Sequence, residues 1–396
     1  LIESIAAVLA GVALGIITGL LPGLHINSVL VLLLEYFDSQ NFWFVLVVVS
    51  MSITNQFTSF IPSILLGVPS EQTFLSVLPG HAFVKKGLGL HAIRLSIAGG
   101  VAALVFSVLF TPVLGLLLSK TNDFFSSMVP FALSSILALM VLREKTTDKK
   151  IIAGAVVALS AASGLALLNN SMFSQNLFVL VTGFFAVPTI LLSLKEDTAI
   201  PKQKTRFRKI NVSRTAKSGF LATITAIMSA LFPALGPNEM IFISSEFAGK
   251  QSRAKYLLLN GGMAASSFLF SFTTLFFIGK ARTGAAAFVG QATEMSTESL
   301  AFIMAAAIAS CGIAALATEF IGKKAARETF KTDYRKINKT VLGFLLVLTI
   351  ATSGIFGIIA LASASATGLL AATGGIRRTA CMAFLIVPTI LLYLNA

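Results

Sequence analysis

Apolar stretches close to twenty residues long recur along the whole chain, the length a helix needs to cross roughly 30 Å of hydrocarbon. Backbone facing lipid must satisfy its own hydrogen bonds, which leaves helices or a closed barrel. The apolar runs are continuous rather than alternating, which excludes the barrel. The sequence therefore reads as an all-α polytopic integral membrane protein. Of 396 residues, 56% are hydrophobic and 12% charged, too few charges to keep a soluble domain of this size in solution. No short apolar leader with a small-residue cleavage site stands apart, so no removable signal peptide is expected. Cys311 and Cys381 lie in apolar segments and suggest neither a disulfide framework nor a metal site. The formal net charge of +14 sits mostly in short loops between apolar segments. That is the signature of cytoplasmic loops in a multi-pass protein of the cell membrane, rather than of nucleic-acid binding.

The longest polar stretch, Lys195 to Lys217, divides the chain into residues 1–194, a basic cytoplasmic linker 195–217, and residues 218–396. The two flanking parts resemble each other. Val187-Pro188-Thr189-Ile190-Leu191-Leu192 returns as Val387-Pro388-Thr389-Ile390-Leu391-Leu392. Leu21-Pro22-Gly23-Leu24-His25-Ile26-Asn27 has an echo in Phe232-Pro233-Ala234-Leu235-Gly236-Pro237-Asn238. Internal duplication of this kind is the usual construction of secondary transporters. Charge orients the parts: Arg143 to Lys150, the linker, Lys323 to Lys339 and Arg377-Arg378 read as inside, and Gln291 to Glu298 as outside. Each half then makes an odd number of crossings, which predicts two inverted-topology repeats.

Chemistry is expected where the apolar segments are interrupted. The proline–glycine break after residue 21 is followed by an apolar run too short for a full crossing. A re-entrant hairpin explains both lengths, and residues 218–248 would dip from the opposite face. The tips, His25 to Asn27 with Gly23, and Gly236 to Asn238 with Glu239, would meet near the midplane. Free N–H groups of half-helix N-termini suit a carboxylate or phosphate there, with Na⁺ near Asn27 and Asn238. A plain proline kink is the competing reading.

A second polar cluster interrupts residues 42–67 and includes Thr54, Asn55 and Gln56, followed by Gly67, Ser70 and Glu71. Its density exceeds ordinary helix packing and points to a solvated cavity or ion path, although Ser and Thr are common at helix contacts. In the second half, Lys280, Arg282 and Thr283 occupy the position of that tip. They read either as contacts for an anion or as surface cations snorkelling to water. Glu71, Glu239 and His25 are the ionisable residues nearest the breaks, suited to holding Na⁺ or relaying a proton. No cofactor is expected beyond Na⁺ or H⁺ as coupling ion.

Gly15-Ile16-Ile17-Thr18-Gly19-Leu20-Leu21-Pro22-Gly23-Leu24 resembles the glycine-rich entry motif of the TctA family, the large membrane subunit of tripartite tricarboxylate transporters. Ile64 to Glu71 and Leu78 to Gly87 are similar to its second motif, and Pro233 to Pro237 to the second-half copy of the first. His25 stands where a small residue is expected, and Lys280-Ala281-Arg282 where a Pro-Gly turn is, so the chain resembles a divergent, short member. The resemblance implies an inverted-repeat fold, a carboxylate substrate and cation coupling. It also implies two partners, a small membrane subunit and an extracytoplasmic solute-binding protein. A homodimer is a further assembly to test.

The function expected is secondary active transport of an anionic solute, of the di- or tricarboxylate class, by alternating access coupled to Na⁺ or H⁺. Transport of a lipid-linked phosphate such as polyprenyl phosphate is the alternative. A membrane-embedded transferase would need clustered Asp or His for metal or acid–base work. Three histidines, His25, His81 and His91, and no Asp-rich pair argue against an enzyme. A scaffold has no use for polar breaks at matching positions.

Overall fold

A computed structural model describes residues 2–21, 26, 29–30, 42–67, 74–168, 176–195, 201–206, 209–232, 240–241, 252–331 and 334–394. Regular structure among these residues is helical throughout. The first half contains α1 (Ile2–Leu20), α2 (Phe42–Thr58), α3 (Phe60–Leu65), α4 (Phe74–Val84), α5 (Gly89–Leu142), α6 (Thr147–Leu167), α7 (Asn176–Val181) and α8 (Val187–Lys195), with a π-helical turn Thr182–Ala186 between the last two. The second contains α9 (Val212–Leu231), α10 (Arg253–Ile278), α11 (Gly284–Ala292), α12 (Thr297–Lys331), α13 (Tyr334–Thr373) and α14 (Ala383–Leu394), the last preceded by a 3₁₀ turn, Arg378–Met382. Among the described residues, seven helical stretches are long and apolar enough to cross a membrane: 2–20, 42–65, 89–121, 147–167, 253–278, 297–328 and 338–373. Three shorter apolar stretches, 127–142, 176–192 and 378–394, accompany them. The chain is a multi-pass α-helical membrane protein.

Two compact units emerge, and each draws on both halves of the sequence. The first comprises Leu1–Leu66, Leu75–Asn122 and Ile200–Lys331; the second comprises Gly67–Phe74, Asp123–Ala199 and Thr332–Ala396.

In the first unit, α1 packs on α2 through Gly11, Gly15 and Gly19, one glycine per turn on one face. A Cβ at Gly15 would stand 2.4 Å from the Met51 carbonyl oxygen, and at Gly11 2.5 Å from that of Val47. Small residues at this spacing let helix backbones touch, the packing that membrane helices use in place of a hydrophobic driving force. Gly11, Gly15 and Gly19 face Ser50, Thr54 and Thr58 in that order, so the two helices run parallel. Leu21 and Phe42 therefore stand at opposite ends of the pair.

The same arrangement recurs at the start of the second half. Gly262 meets Ala222, and Thr223 lies 3.4 Å from Ser266, oxygen to oxygen. With Arg282, beside Ser271, reaching Ala230, these contacts make α9 and α10 parallel as well. Helix α5 runs alongside α10 in the same direction, Ala103 by Gly262, Ser107 by Ser266 and Gly115 by Phe277. Helix α12 runs against α5, with Gly322 beside Leu90 and Ile93. It also packs on α2, where Phe42 and Phe302 place the starts of the two helices together at 5.5 Å between ring centroids.

Helices α1 and α9 stop where the sequence puts their prolines. Phe232, before Pro233, is extended at φ −93° and ψ 103°, because the proline ring excludes helical backbone in the residue ahead of it. The linker, in contrast, is partly structured. Its last residues from Val212 to Lys217 already belong to α9, which Asn211 caps by accepting the Arg214 N–H at 3.0 Å. Residues 201–206 have no regular structure, yet Gln203 is buried. Its side chain accepts the Gly89 N–H at 2.9 Å and donates to the carbonyls of Val84 and Pro201.

In the second unit, α6 packs on α14 with Gly164 against the Phe384 carbonyl. Gly183 in the π-helical turn abuts Ala364 of α13. Helix α13 is interrupted at Gly354, whose φ of 60° and ψ of −160° only glycine adopts without strain. The break divides a segment of about 60 Å, at 1.5 Å per residue, into two pieces of ordinary length. Arg378 donates to the Thr189 hydroxyl, joining the turn before one Val-Pro-Thr motif to the threonine of the other. Lys149 Nζ reaches the Gly375 carbonyl at 3.2 Å, and the Arg377 N–H reaches Glu144 at 3.3 Å. The two basic turns that the charge pattern assigned to one side thus lie together.

Candidate functional site

The polar residues of α2 are buried: Thr54, Asn55 and Gln56 expose 0%, 7% and 3% of their surface. They lie on two faces. Ser50, Thr54 and Thr58 follow every fourth residue and meet the glycines of α1. Ser52 and Gln56, continued by Ser59 and by Ser63 of α3, recur at three- and four-residue spacing on another face. Between α1 and α2, Asn55 Nδ2 donates to Thr18 Oγ1 at 3.0 Å, and the Thr58 hydroxyl donates to the Gly15 carbonyl at 3.1 Å. Ser59 returns its hydroxyl to the Gln56 carbonyl at 3.0 Å. Ser50 Oγ, Ser52 Oγ, Thr54 Oγ1 and Gln56 Oε1 have no hydrogen-bond partner among the described residues. Each such group costs about 1–3 kcal/mol when it is removed from water and left unpaired. Ser50 and Thr54 lie on the face packed against α1, Ser52 and Gln56 on the other.

The second candidate lies at the far end of α10. Gly279 closes that helix with φ 66°, and the chain then turns back into the unit. The Arg282 N–H donates to Ser271 Oγ at 2.9 Å, and the Thr283 hydroxyl donates to the same oxygen at 3.1 Å. Ser271 lies seven residues before Ile278, so the loop re-enters by about 10 Å at 1.5 Å per residue. From that depth α11 starts, with Thr283 as N-cap accepting the Ala286 N–H at 3.3 Å. Arg282 extends its guanidinium to the last turn of α9, where Nη2 donates to the Ala230 carbonyl at 3.0 Å. A cation suits that position, since the final carbonyls of a helix lack intrahelical partners and carry its negative dipole end. Arg282 thereby stands three residues from the Pro233 break. A half-buried guanidinium and a helix N-terminus on one re-entrant tip, with the Ser271 hydroxyl beneath them, can receive a carboxylate or phosphate.

The other sequence candidates distribute as follows. Lys280, two residues from Arg282, is exposed. Gly67 follows α3 in the left-handed region, φ 72°. Gly23, His25, Asn27, Ser70, Glu71, Gly236, Asn238 and Glu239 lie outside the described residues.

Ser271, one of the polar residues that the sequence places in the second-half counterpart of the α2 cluster, anchors the re-entrant loop from eleven residues away. Two features escaped the sequence reading. Thr18 sits inside the glycine motif and is the partner of Asn55. The second is an ion pair inside two candidate spans: Arg94 Nε donates to both carboxylate oxygens of Glu319 at 2.9 Å, and its Nη2 closes the fork. Its Nη1 donates to the Arg206 carbonyl at 2.9 Å. The rule that selects ionisable residues within apolar segments applies equally to these two.

A model of the tripartite tricarboxylate transporter TctA family matches residues 5–383. The chain belongs to that family. Over 395 residues this TctA-family chain is 28% identical to an uncharacterized protein of Methanocaldococcus jannaschii, a match that takes in 97% of the chain and 98% of the relative. No solved structure matches it. Gly15 and Gly19 of the face that joins α1 to α2 lie in the stretch that resembles the family's entry motif. Membership places the protein among transporters and components of a tripartite system.

Proposed function

We propose that this protein is the transport-bearing membrane subunit of a secondary transporter, moving an anionic solute of the di- or tricarboxylate class across the cytoplasmic membrane. The observation that carries the reading is the re-entrant Arg282–Thr283 tip, a cation and a capped helix N-terminus held about 10 Å inside the end of α10 beside the break that follows α9. Charged groups at such depth mark substrate paths in membrane proteins. Alternating access between inverted repeats fits the helix directions. Each half opens with a parallel pair, α1 with α2 and α9 with α10. Helix α2 starts beside α12, α12 opposes α5, and α5 accompanies α10, which sets α2 against α10. Na⁺ or H⁺ coupling, with the unpartnered hydroxyls of α2 as the ion's route, completes the proposal. A small membrane subunit and an extracytoplasmic binding protein are the partners implied by the family.

The test is uptake into proteoliposomes of citrate, succinate and phosphate, each with and without a Na⁺ or pH gradient. Carboxylate uptake that follows one gradient and is lost in Arg282→Gln supports the reading. Carboxylate uptake unchanged by Arg282→Gln would remove the tip from the site, and absence of uptake of any carboxylate would remove the substrate class.

A further inference from the structure

One end of the first unit gathers three basic segments that lie far apart in sequence. The turn after α4, residues 85–88, receives the linker strand 201–206: the Lys204 N–H donates to the Gly87 carbonyl at 2.8 Å, and Gln203 clamps the Gly89 N–H and the Val84 carbonyl. Gly87 has φ 71°, and a Cβ there would lie 2.8 Å from the Lys202 carbonyl, so the strand is seated closely. Helix α12 joins from the other side through the Arg94–Glu319 pair and through Gly322, which faces Leu90 and Ile93. Arg94 also holds the Arg206 carbonyl. It lies five residues into α5, about 7 Å at 1.5 Å per residue. The linker backbone is thereby drawn to the level where the apolar spans begin.

The exposed charged side chains of these segments are all cationic. Lys86, Lys202, Lys204, Arg206, Lys323 and Lys324 are exposed. Across residues 85–94, 201–206 and 319–324 the sole carboxylate is Glu319, and it is engaged by Arg94. Topological sorting of a membrane protein requires positive charge on one side but not a folded strap pinned to helix ends by a buried glutamine. Clusters of four to eight Lys and Arg beside membrane helices attract anionic headgroups, and the attraction fades within a Debye length.

We propose that this basic end is a docking surface for anionic phospholipid headgroups of the leaflet it meets. The folded strap sets the spacing of the cations, and Gln203 positions the strap. The phosphodiester oxygens accept from the Lys ammonium groups and from the Arg206 guanidinium at the rim of the bilayer. This inference does not depend on which solute is carried.

The full chain in nanodiscs of phosphatidylcholine, with and without phosphatidylglycerol, provides the test, with thermal unfolding and native mass spectrometry as readouts. Phosphatidylglycerol is expected to raise the melting temperature and to remain bound to the detergent-extracted protein, with both effects falling as NaCl is added. A variant carrying Lys86→Gln, Lys202→Gln, Lys204→Gln and Lys323→Gln should lose most of the gain. One carrying Lys145→Gln, Lys150→Gln, Lys336→Gln and Lys339→Gln, four exposed basic residues of the other unit, should keep it. Gln203→Ala, which leaves every charge in place, should also reduce retained lipid, separating a folded surface from net charge alone. The proposal is overturned if phosphatidylglycerol gives no gain, if both four-site variants lose it equally, or if Gln203→Ala retains it in full. An equal gain from poly-glutamate or RNA in pure phosphatidylcholine discs would assign the surface to a macromolecule instead.

Discussion

Arg282 shows how little of a site a single residue type discloses. In sequence it is one of two cations, Lys280 and Arg282, at a loop where the rest of the chain is apolar. In three dimensions they part: Lys280 is exposed, while Arg282 is anchored on Ser271 and reaches Ala230. Nothing in the local sequence marks that difference, because the anchor is eleven residues away and the acceptor is a main-chain carbonyl. Arg282→Lys keeps the charge but loses the planar fork, so it should weaken substrate affinity by about 10-fold, the loss of one charge-assisted hydrogen bond. Lys280→Gln should change it by less than about 2-fold, as for a solvated charge. Both are read from the concentration dependence of uptake. The Arg94–Glu319 pair follows a different rule. Glu319→Gln leaves Arg94, 7% exposed, without its counter-charge; with Glu319 itself 35% exposed, the loss should be about 1–2 kcal/mol, less than for a fully buried pair. Arg94→Met combined with Glu319→Met should recover part of that loss, checked by a double-mutant cycle on chemical unfolding.

At the level of single helices, sequence and structure agree where the determinant is local. The chain leaves helical geometry ahead of Pro22 and Pro233, as proline dictates to the residue before it. The short polar turn at Arg143 to Thr146 separates two helices where charge density predicted a loop. The break at Gly354 was not legible, since an isolated glycine in an apolar run is common in membrane helices and its positive φ depends on what surrounds it. Close helix approach is equally invisible: Gly15 and Gly154 look alike in sequence. A Cβ at Gly15 would meet the Met51 carbonyl at 2.4 Å, whereas at Gly154 nothing lies within 4 Å. Gly15→Ala should therefore destabilise by about 1–3 kcal/mol through overpacking. Gly154→Ala should stabilise by up to about 1 kcal/mol through helix propensity. Thermal unfolding of the two variants side by side checks the sign of each.

For the whole molecule, the duplicated Val-Pro-Thr-Ile-Leu-Leu and proline-break motifs point to two halves, but not to how the compact units draw on them. The compact units do not follow the linker boundary, and each combines segments from before and after it. The hydropathy pattern holds no trace of this, because it records burial in lipid and not the identity of the neighbour. Orientation is testable without a substrate. Single cysteines at Lys204 and Glu294, in an otherwise cysteine-free chain, should be labelled by impermeant maleimide from opposite faces of the membrane. Labelling from the same face would contradict the inverted arrangement.

The parallel pairs have a consequence for how the protein is made. A ribosome delivers α1 and α2 first, yet the surface of α2 that faces α12, and the surface of α5 that faces α10, have no partner until the second half emerges. The first half must wait in the bilayer with those surfaces uncovered. A cut in the linker should be tolerated when both pieces are synthesised in one cell, whereas either piece alone should be degraded. Biogenesis, more than the finished fold, is then where selection presses on the spacing between the two halves.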